Sequence, residues 1–328
     1  MGGRDREDAL SEIIGFVLIL ALIVVASTLY LMYVVPAEGR EEEIEHMNQV
    51  KDRFVSYKTS VDGLWLRSLG DLSISGTRGV SLSTSFDLGT GGGNTQSSGL
   101  FLSFMRPIGT AARMSIAADS GDYLTLRVDG TPVIDRVPLG SLNYSTDNYY
   151  WIQQTYAYEM GGVFLEQKNE GVSVKVAPSL SLYHFGNGTS ENYIHSVKLN
   201  LCLVNLTREA GTIGGTGPLR VETRLRESMV SSYENSRVDT VSVEIDARNE
   251  RWASAWNQAF IDAARRSGVA ESGDLTDDSH QWFFIHRPDD TTSILEVRNK
   301  TGDPAISKDV MLNLIEAPLQ VTFEYDEL

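Results

Sequence analysis

The chain is short of positive charge and of cysteine, and each shortage excludes something. Its 328 residues carry 28 Lys and Arg against 44 Asp and Glu, a formal net charge of -16. Nucleic-acid phosphates would be repelled over most of such a surface, so no nucleic-acid partner is expected. The one cysteine, Cys202, cannot close an internal disulfide, and no zinc ligand set can be built around it. It lies in an alternating strand-like run and reads as a small core residue, a poor setting for an exposed nucleophile. Among His46, His184, His195, His280 and His286 there is no HExxH pattern and no close pair, and no GxSxG elbow occurs. Asp274, Asp277 and Asp278 form an acidic loop whose spacing does not match a calcium loop. The expectation is a protein that is not an enzyme and holds no cofactor or metal. An apolar fraction of 41% and a charged fraction of 22% still describe a globular chain, long enough for one large or two ordinary domains.

Long apolar runs are scarce too: there is one. Residues Ile13 to Val35 read IIGFVLILALIVVASTLYLMYVV, without a charge. As a helix this run spans roughly 35 Å, enough for a hydrocarbon core of about 30 Å. Tyr30 and Tyr33 stand at its C-terminal end, where amphipathic rings favour the membrane–water interface, and Pro36, Gly39 and Arg40-Glu41-Glu42-Glu43 return the chain to water. A cleaved secretory signal is the alternative, with Val35-Pro36-Ala37 loosely resembling a signal-peptidase site. The run is too long for a typical h-region, and the leader MGGRDREDA is net acidic. A buried core helix would need an apolar partner segment, and the chain has none comparable.

After Pro36 the period becomes amphipathic. Ile44, Met47, Val50, Phe54, Tyr57 and Val61 recur at spacings of 3, 3, 4, 3 and 4, with Glu42, Glu45, Asn48, Lys51 and Asp52 on other faces. The spacing predicts a stalk helix, kinked near Pro36 and ending about Asp62-Gly63. Its apolar stripe must rest either on the protein's own β domain or on a partner helix.

From Leu64 the period falls to two. Val80–Leu88, Arg113–Ala117, Tyr123–Val128, Val163–Gln167, Val172–Val176, Val197–Val204, Leu219–Leu225 and Val238–Ile245 read as strands, and Asp129-Gly130 as a tight turn. Arg251–Arg266 is the helical exception, placing Trp252, Trp256, Ala259, Phe260 and Ala263 on one face, with Gly268 as a stop. The tryptophans read as core anchors. Trp282–His286, Ile294–Arg298, Val310–Ile315 and Leu319–Tyr325 close the chain as strands. The expected fold is α+β, mostly β: a long N-terminal transmembrane and stalk helix, then an antiparallel β-sandwich-like ectodomain with one packed helix. The expected divisions are leader 1–9, transmembrane helix 10–36, stalk 37–63 and β-rich domain 64–328, with a candidate split near residues 140–145.

The leader carries a resemblance. Asp8-Ala9-Leu10-Ser11-Glu12-Ile13-Ile14-Gly15-Phe16 resembles the N-terminal motif of archaeal type IV pilins and pilin-like proteins, a class III-type signal. In that family a prepilin peptidase cuts a short charged leader after a small residue on the cytoplasmic side, and the apolar segment stays as anchor and assembly helix. The resemblance implies cleavage between Ala9 and Leu10, although Asp8 stands where the family usually has Lys or Arg. It implies that Glu12, third after the cut, can pair with the free amine of a neighbouring subunit. Read from the residues alone, Glu12 marks the membrane boundary or belongs to a helix-starting Ser11-Glu12 pair. The ectodomain is similar to those of uncharacterised archaeal pilin-like membrane proteins.

Two further features remain. The loop Gly89-Thr90-Gly91-Gly92-Gly93-Asn94 lacks the Lys and the following helix that a phosphate cradle needs, and reads as a hairpin tip. Four sequons, at Asn143, Asn187, Asn205 and Asn299, are glycosylation candidates, Asn205 being embedded in a strand. The resulting expectation is a single-pass membrane protein, N-terminus cytoplasmic and C-terminal domain extracellular, with a structural or adhesive surface role as a minor or accessory pilus-like component. Its expected partners are the bilayer, a prepilin peptidase and other pilin-like subunits. The alternative is a tethered extracellular binding protein or enzyme that uses the helix only as an anchor.

Overall fold

A computed structural model describes residues 4–70, 81–90, 106–186, 194–207, 211–225, 230–268, 275–278, 282–299 and 309–324. The chain opens with α1 (Arg4–Leu29), passes through a π-helical turn (Tyr30–Val34) and continues as α2 (Val35–Gly70). The proline explains the π turn. Pro36 has no N–H, and in a regular helix its ring would press on the carbonyl four residues back, that of Met32. The widened turn takes up this misfit: the Val35 N–H reaches the Tyr30 carbonyl, five residues back. The helix also runs past Gly63, its expected end. Asp62 is bonded to Lys58 Nζ at 2.8 Å and to Trp65 Nε1 at 3.1 Å, and Trp65 packs against the core, so side-chain contacts carry the helix through the glycine.

The two parts of this helix meet opposite environments. From Ile13 to Val34 its large apolar side chains are exposed, Phe16 by 66% and Leu22 by 72%. The described helix Ile13–Leu66 is long and apolar enough to cross a membrane. From Val35 onward one stripe is buried: Val35, Gly39, Glu43, Met47, Val50, Phe54, Tyr57 and Val61. It lies against the protein's own strands, with Phe54 5.1 Å from Phe86 and Tyr57 5.0 Å from Tyr158, ring to ring. At about 1.5–3 kcal/mol per buried side chain, the stripe contributes on the order of 10 kcal/mol of gross burial. This segment is part of the domain core rather than a free stalk.

In chain order the strands are β1 (Ser81–Leu88), β2 (Ala112–Ala117), β3 (Tyr123–Val128), β4 (Thr131–Pro138), β5 (Ser141–Thr146), β6 (Gln154–Glu159), β7 (Gly162–Gln167), β8 (Gly171–Val176) and β9 (Leu180–Gly186). Then come β10 (Ile194–Leu206), β11 (Gly211–Gly215), β12 (Gly217–Leu225), β13 (Val230–Val238), β14 (Thr240–Asp246), the helix α3 (Glu250–Arg266), β15 (Phe283–His286), β16 (Thr292–Arg298) and β17 (Asp309–Glu324). They build three sheets, ordered β1-β12-β17-β10-β9 with β13 also on β17, β11-β2-β5-β6-β7-β8, and β15-β16-β14-β3-β4. The sheets interleave across residues 140–145, since β5 pairs with β2 while β3 pairs with β14. Asp129 and Gly130 both take positive φ, 50° and 76°, as a primed hairpin turn between β3 and β4 requires.

The centre departs from an all-antiparallel pattern: β10 and β17 run parallel, Ser196 opposite Asp309 through Leu206 opposite Leu319. The two expected strands at 310–315 and 319–325 are a single strand, β17, despite Pro318. The Leu319 carbonyl accepts from Thr207 N on the β10 side, so Pro318 faces the other edge. There, among the described residues, β12 pairs no further than Leu319 and β13 begins opposite Glu316, so neither pairing needs the N–H that Pro318 lacks. Along β17 the buried face switches between Leu314 and Ile315. Val310, Leu312 and Leu314 enter one core with Leu199 and Leu201, while Ile315, Ala317, Leu319 and Val321 enter a second with Cys202 and Val204. The first core is completed by α3, the second by α2.

Asn249 caps α3, accepting from Arg251 N and Trp252 N, and the helix buries Trp252, Trp256, Ala259, Phe260 and Ala263 as its spacing predicts. Phe164 of β7 lies 5.2 Å from Trp252 and 4.8 Å from Trp256, ring to ring, which makes both tryptophans core anchors.

Candidate functional site

Three polar constellations interrupt the apolar interior, and two of them sit on α2. The first begins at Glu43, which is 2% exposed. Its carboxylate accepts three successive backbone N–H groups from the β5–β6 loop: Tyr149 at 2.8 Å, Tyr150 at 3.0 Å and Trp151 at 2.6 Å. Charge-assisted bonds to a row of main-chain donors hold a loop firmly. The ring of Tyr150 lies where a Cβ on Gly39 would stand, so glycine is needed at that position. The Arg40 guanidinium sits 4.2 Å above the ring of Trp151.

The second is a groove of about 260 Å³ between α2 and β1, lined by His46, Gln49, Asp52, Arg53, Phe86 and Asp87 among others. At its inner end His46 Nε2 is 2.8 Å from the Tyr144 hydroxyl. That hydroxyl donates to the Asp87 carbonyl at 2.7 Å and accepts from Gly89 N at 3.1 Å. With its proton on the Asp87 carbonyl, the Tyr144 hydroxyl is free to accept from His46 in the Nε2–H tautomer. Burial lowers the pKa of His46, with the Asp87 charge opposing, and burial raises that of Tyr144. Gly89 takes φ +74° with the Thr110 carbonyl pressed against its α-carbon, a place closed to any side chain. The groove is thus lined by His46, Gln49 and residues of both charges, with the Tyr144 hydroxyl bonded behind His46.

The third joins Asp122, Glu159 and Arg248. Asp122 Oδ1 accepts from Arg248 N at 2.7 Å and Nε at 2.8 Å, and its Oδ2 from Trp256 Nε1 at 3.0 Å. Arg248 Nη2 donates to Glu159 Oε2, and the guanidinium covers the ring of Trp252 at 3.9 Å. Both acids are 0% exposed. One guanidinium faces two carboxyls, and burial together with the charge of Asp122 pushes the Glu159 carboxyl well above its usual range, against the pull of Arg248. Among the described residues Glu159 Oε1 meets no hydrogen-bond partner. Enclosed as it is, the trio fastens the start of β3, the β6–β7 turn and the entry to α3.

The residues singled out from sequence are scattered over the molecule. Ala9, Leu10 and Glu12 fall in α1, described there by backbone alone. Asn143 stands mid-strand in β5 between β2 and β6, its Nδ2 donating to Ser141 Oγ at 3.0 Å. Asn205 in β10 accepts from Gly140 N at 3.1 Å, tying β10 to the β4–β5 turn. Asn299 is half-buried just past β16, and Asn187 lies outside the described residues. His184 Nδ1 meets the Ser267 carbonyl at 2.6 Å beyond the end of α3, and His286 stacks on Phe284 at 4.1 Å. The side chain of His195 and the whole of His280 lie outside the described residues. Among the described residues no group of His, Cys, Asp and Glu could hold a metal ion.

Glu43 had a legible signal: it stands four residues before Met47 and four after Gly39, on the apolar stripe itself. Asp122, Glu159 and Arg248 had none, being brought together only by the fold. Comparison with protein-family models, with curated proteins and with solved structures finds no match to this chain.

Proposed function

We propose that the chain is a pilin-like, single-pass membrane protein of the cell surface, with a structural or adhesive role as a minor or accessory pilus-like component. The observation that carries this reading is the continuity of one helix. Its exposed apolar part runs through the π-helical turn directly into the buried stripe of the head domain. An exposed run of this length, apolar on all faces, is stable only in an apolar solvent. The short charged leader ending at the small residue Ala9 supports processing between Ala9 and Leu10 by a prepilin peptidase, Asp8 being its departure from the family's usual Lys or Arg, with the N-terminus cytoplasmic and the head outside. Glu12 is the candidate for pairing with the new amine of a neighbouring subunit, since a carboxylate at the margin of lipid needs a partner. Asn143, Asn187, Asn205 and Asn299 remain glycosylation candidates.

The test is the intact mass of the native protein from cells with and without the peptidase, together with its distribution between sheared surface fibres and membranes. Loss of the first nine residues in a peptidase-dependent way, and recovery from fibres, is the expected result. A native chain beginning at Met1 and confined to the membrane fraction would leave a tethered binding protein. The groove at His46 and Asp87 favours that second reading, which predicts stabilisation by a ligand.

A further inference from the structure

We infer that the head domain seats directly on the bilayer through an aromatic foot, formed by the β5–β6 loop and Ile108, with Tyr149 and Ile108 in the lipid headgroup–acyl boundary. The inference rests on the reading of Ile13–Val35 as a bilayer-spanning segment.

Depth comes first. At about 1.5 Å of rise per residue, Gly39 lies roughly 6 Å and Glu43 roughly 12 Å beyond Val35. Glu43 leans back along the helix, as helical side chains do, and binds the main chain of Tyr149, Tyr150 and Trp151. The ring of Tyr150 rests on Gly39. The loop therefore lies beside the first turns past the apolar run. Burial reaches lower still: Val34 is 36% exposed but Val35, the last residue of the run, only 7%. The underside of the head is level with the expected edge of the hydrocarbon.

Chemistry comes second. Tyr149 is 68% and Ile108 65% exposed, and the Ile108 N–H donates to the Tyr150 hydroxyl at 3.2 Å, which joins the two segments into one surface. Trp151 is half-buried beneath the Arg40 guanidinium. Amphipathic rings and an arginine whose stem can lie along apolar surface are the side chains that the interfacial zone favours. Single exposed apolar residues are ordinary on any protein. Here they share the level at which the spanning segment ends, and Tyr183 and Phe185, exposed on β9, provide an internal contrast. The partner is a phospholipid interface without a required charge, because Arg40 is followed directly by three glutamates.

The full chain is reconstituted in phosphatidylcholine vesicles in a Cys202→Ala background, with one fluorophore on Leu22→Cys, Ile108→Cys, Tyr149→Cys or Tyr183→Cys. Lipids carrying nitroxide quenchers at the headgroup or along the acyl chain report depth. The expected result is loss of fluorescence at position 22 with deep quenchers, loss at 108 and 149 with shallow ones, and none at 183. Quenching at 22 with positions 108 and 149 no more affected than 183 overturns the seat and leaves the anchor standing. No quenching at 22 overturns the anchor and the seat together. Shielding of 149 from both lipid quenchers and aqueous iodide places a protein surface there instead and overturns the lipid assignment.

Discussion

The two parts of the N-terminal helix use similar residues for opposite ends. In Ile13–Val34 apolar side chains cover every face and are largely exposed, while in Val35–Val61 a single mainly apolar stripe, interrupted by Glu43, is buried and Ile44 at its margin is half-buried. The first segment has no protein partner in the described structure; the second is a wall of a protein core. How far the apolar surface extends around the helix separates an element that needs a foreign solvent from one that the fold itself can cover.

The comparison can be broken most forcefully inside the stripe. Phe54→Ala removes a fully buried ring between Phe86 and Tyr156 and should cost about 3–5 kcal/mol of head-domain stability, read from denaturant unfolding by near-UV circular dichroism. A loss below about 1 kcal/mol would mean that α2 is an appendage. Glu43→Ala strands three main-chain donors and should cost about 2 kcal/mol, with faster amide exchange confined to Tyr149, Tyr150 and Trp151.

Titration sharpens the contrast from within the head. The folded pKa of His46 lies below its ordinary 6.5, so the unfolded chain binds a proton that the native one does not. Stability should therefore rise as pH climbs through about 6.5, and His46→Gln should flatten that rise in melting temperature. Glu159 has the opposite sign. Its folded pKa is raised above 4.5, so its stabilising contribution is complete below that value and fades as pH rises. Glu159→Gln should flatten this fall. Unchanged pH profiles in both variants would show that the two groups are not buried as described. Smallest of all, Leu22→Ala should leave the stability of the head within about 0.5 kcal/mol of wild type, because its side chain touches no core residue.

Much of this architecture was legible locally. The amphipathic spacing of Met47, Val50, Phe54, Tyr57 and Val61 located the stripe, and the spacing of Trp252, Trp256 and Phe260 located α3 to within a residue. Strands of strict alternation, such as β1 and β3, were found where the period of two placed them. Five strands were missed: β5 (SLNYST), β6 (QTYAYE), β11 (GTIGG) and β13 (VSSYENSRV) lack a long apolar alternation, and the alternation of β9 (LSLYHFG) covers only Leu180 and Leu182 before it fades. Pro318 and Gly63 read as punctuation, and both were overruled by packing. The buried acids fared worst, since neither Glu159 nor Asp122 differs locally from a surface carboxylate.

By itself the sequence determined the apolar run, the stripe, the period of most strands and the α+β class, because each follows from how side chains repeat along a helix or a pleat. Tertiary structure alone decided which surface received the stripe, that β10 and β17 pair in parallel and contribute to two cores, and that Glu43, Asp122, Glu159 and Arg248 meet their partners. Those outcomes depend on contacts between residues up to a hundred or more positions apart, and no local period encodes them.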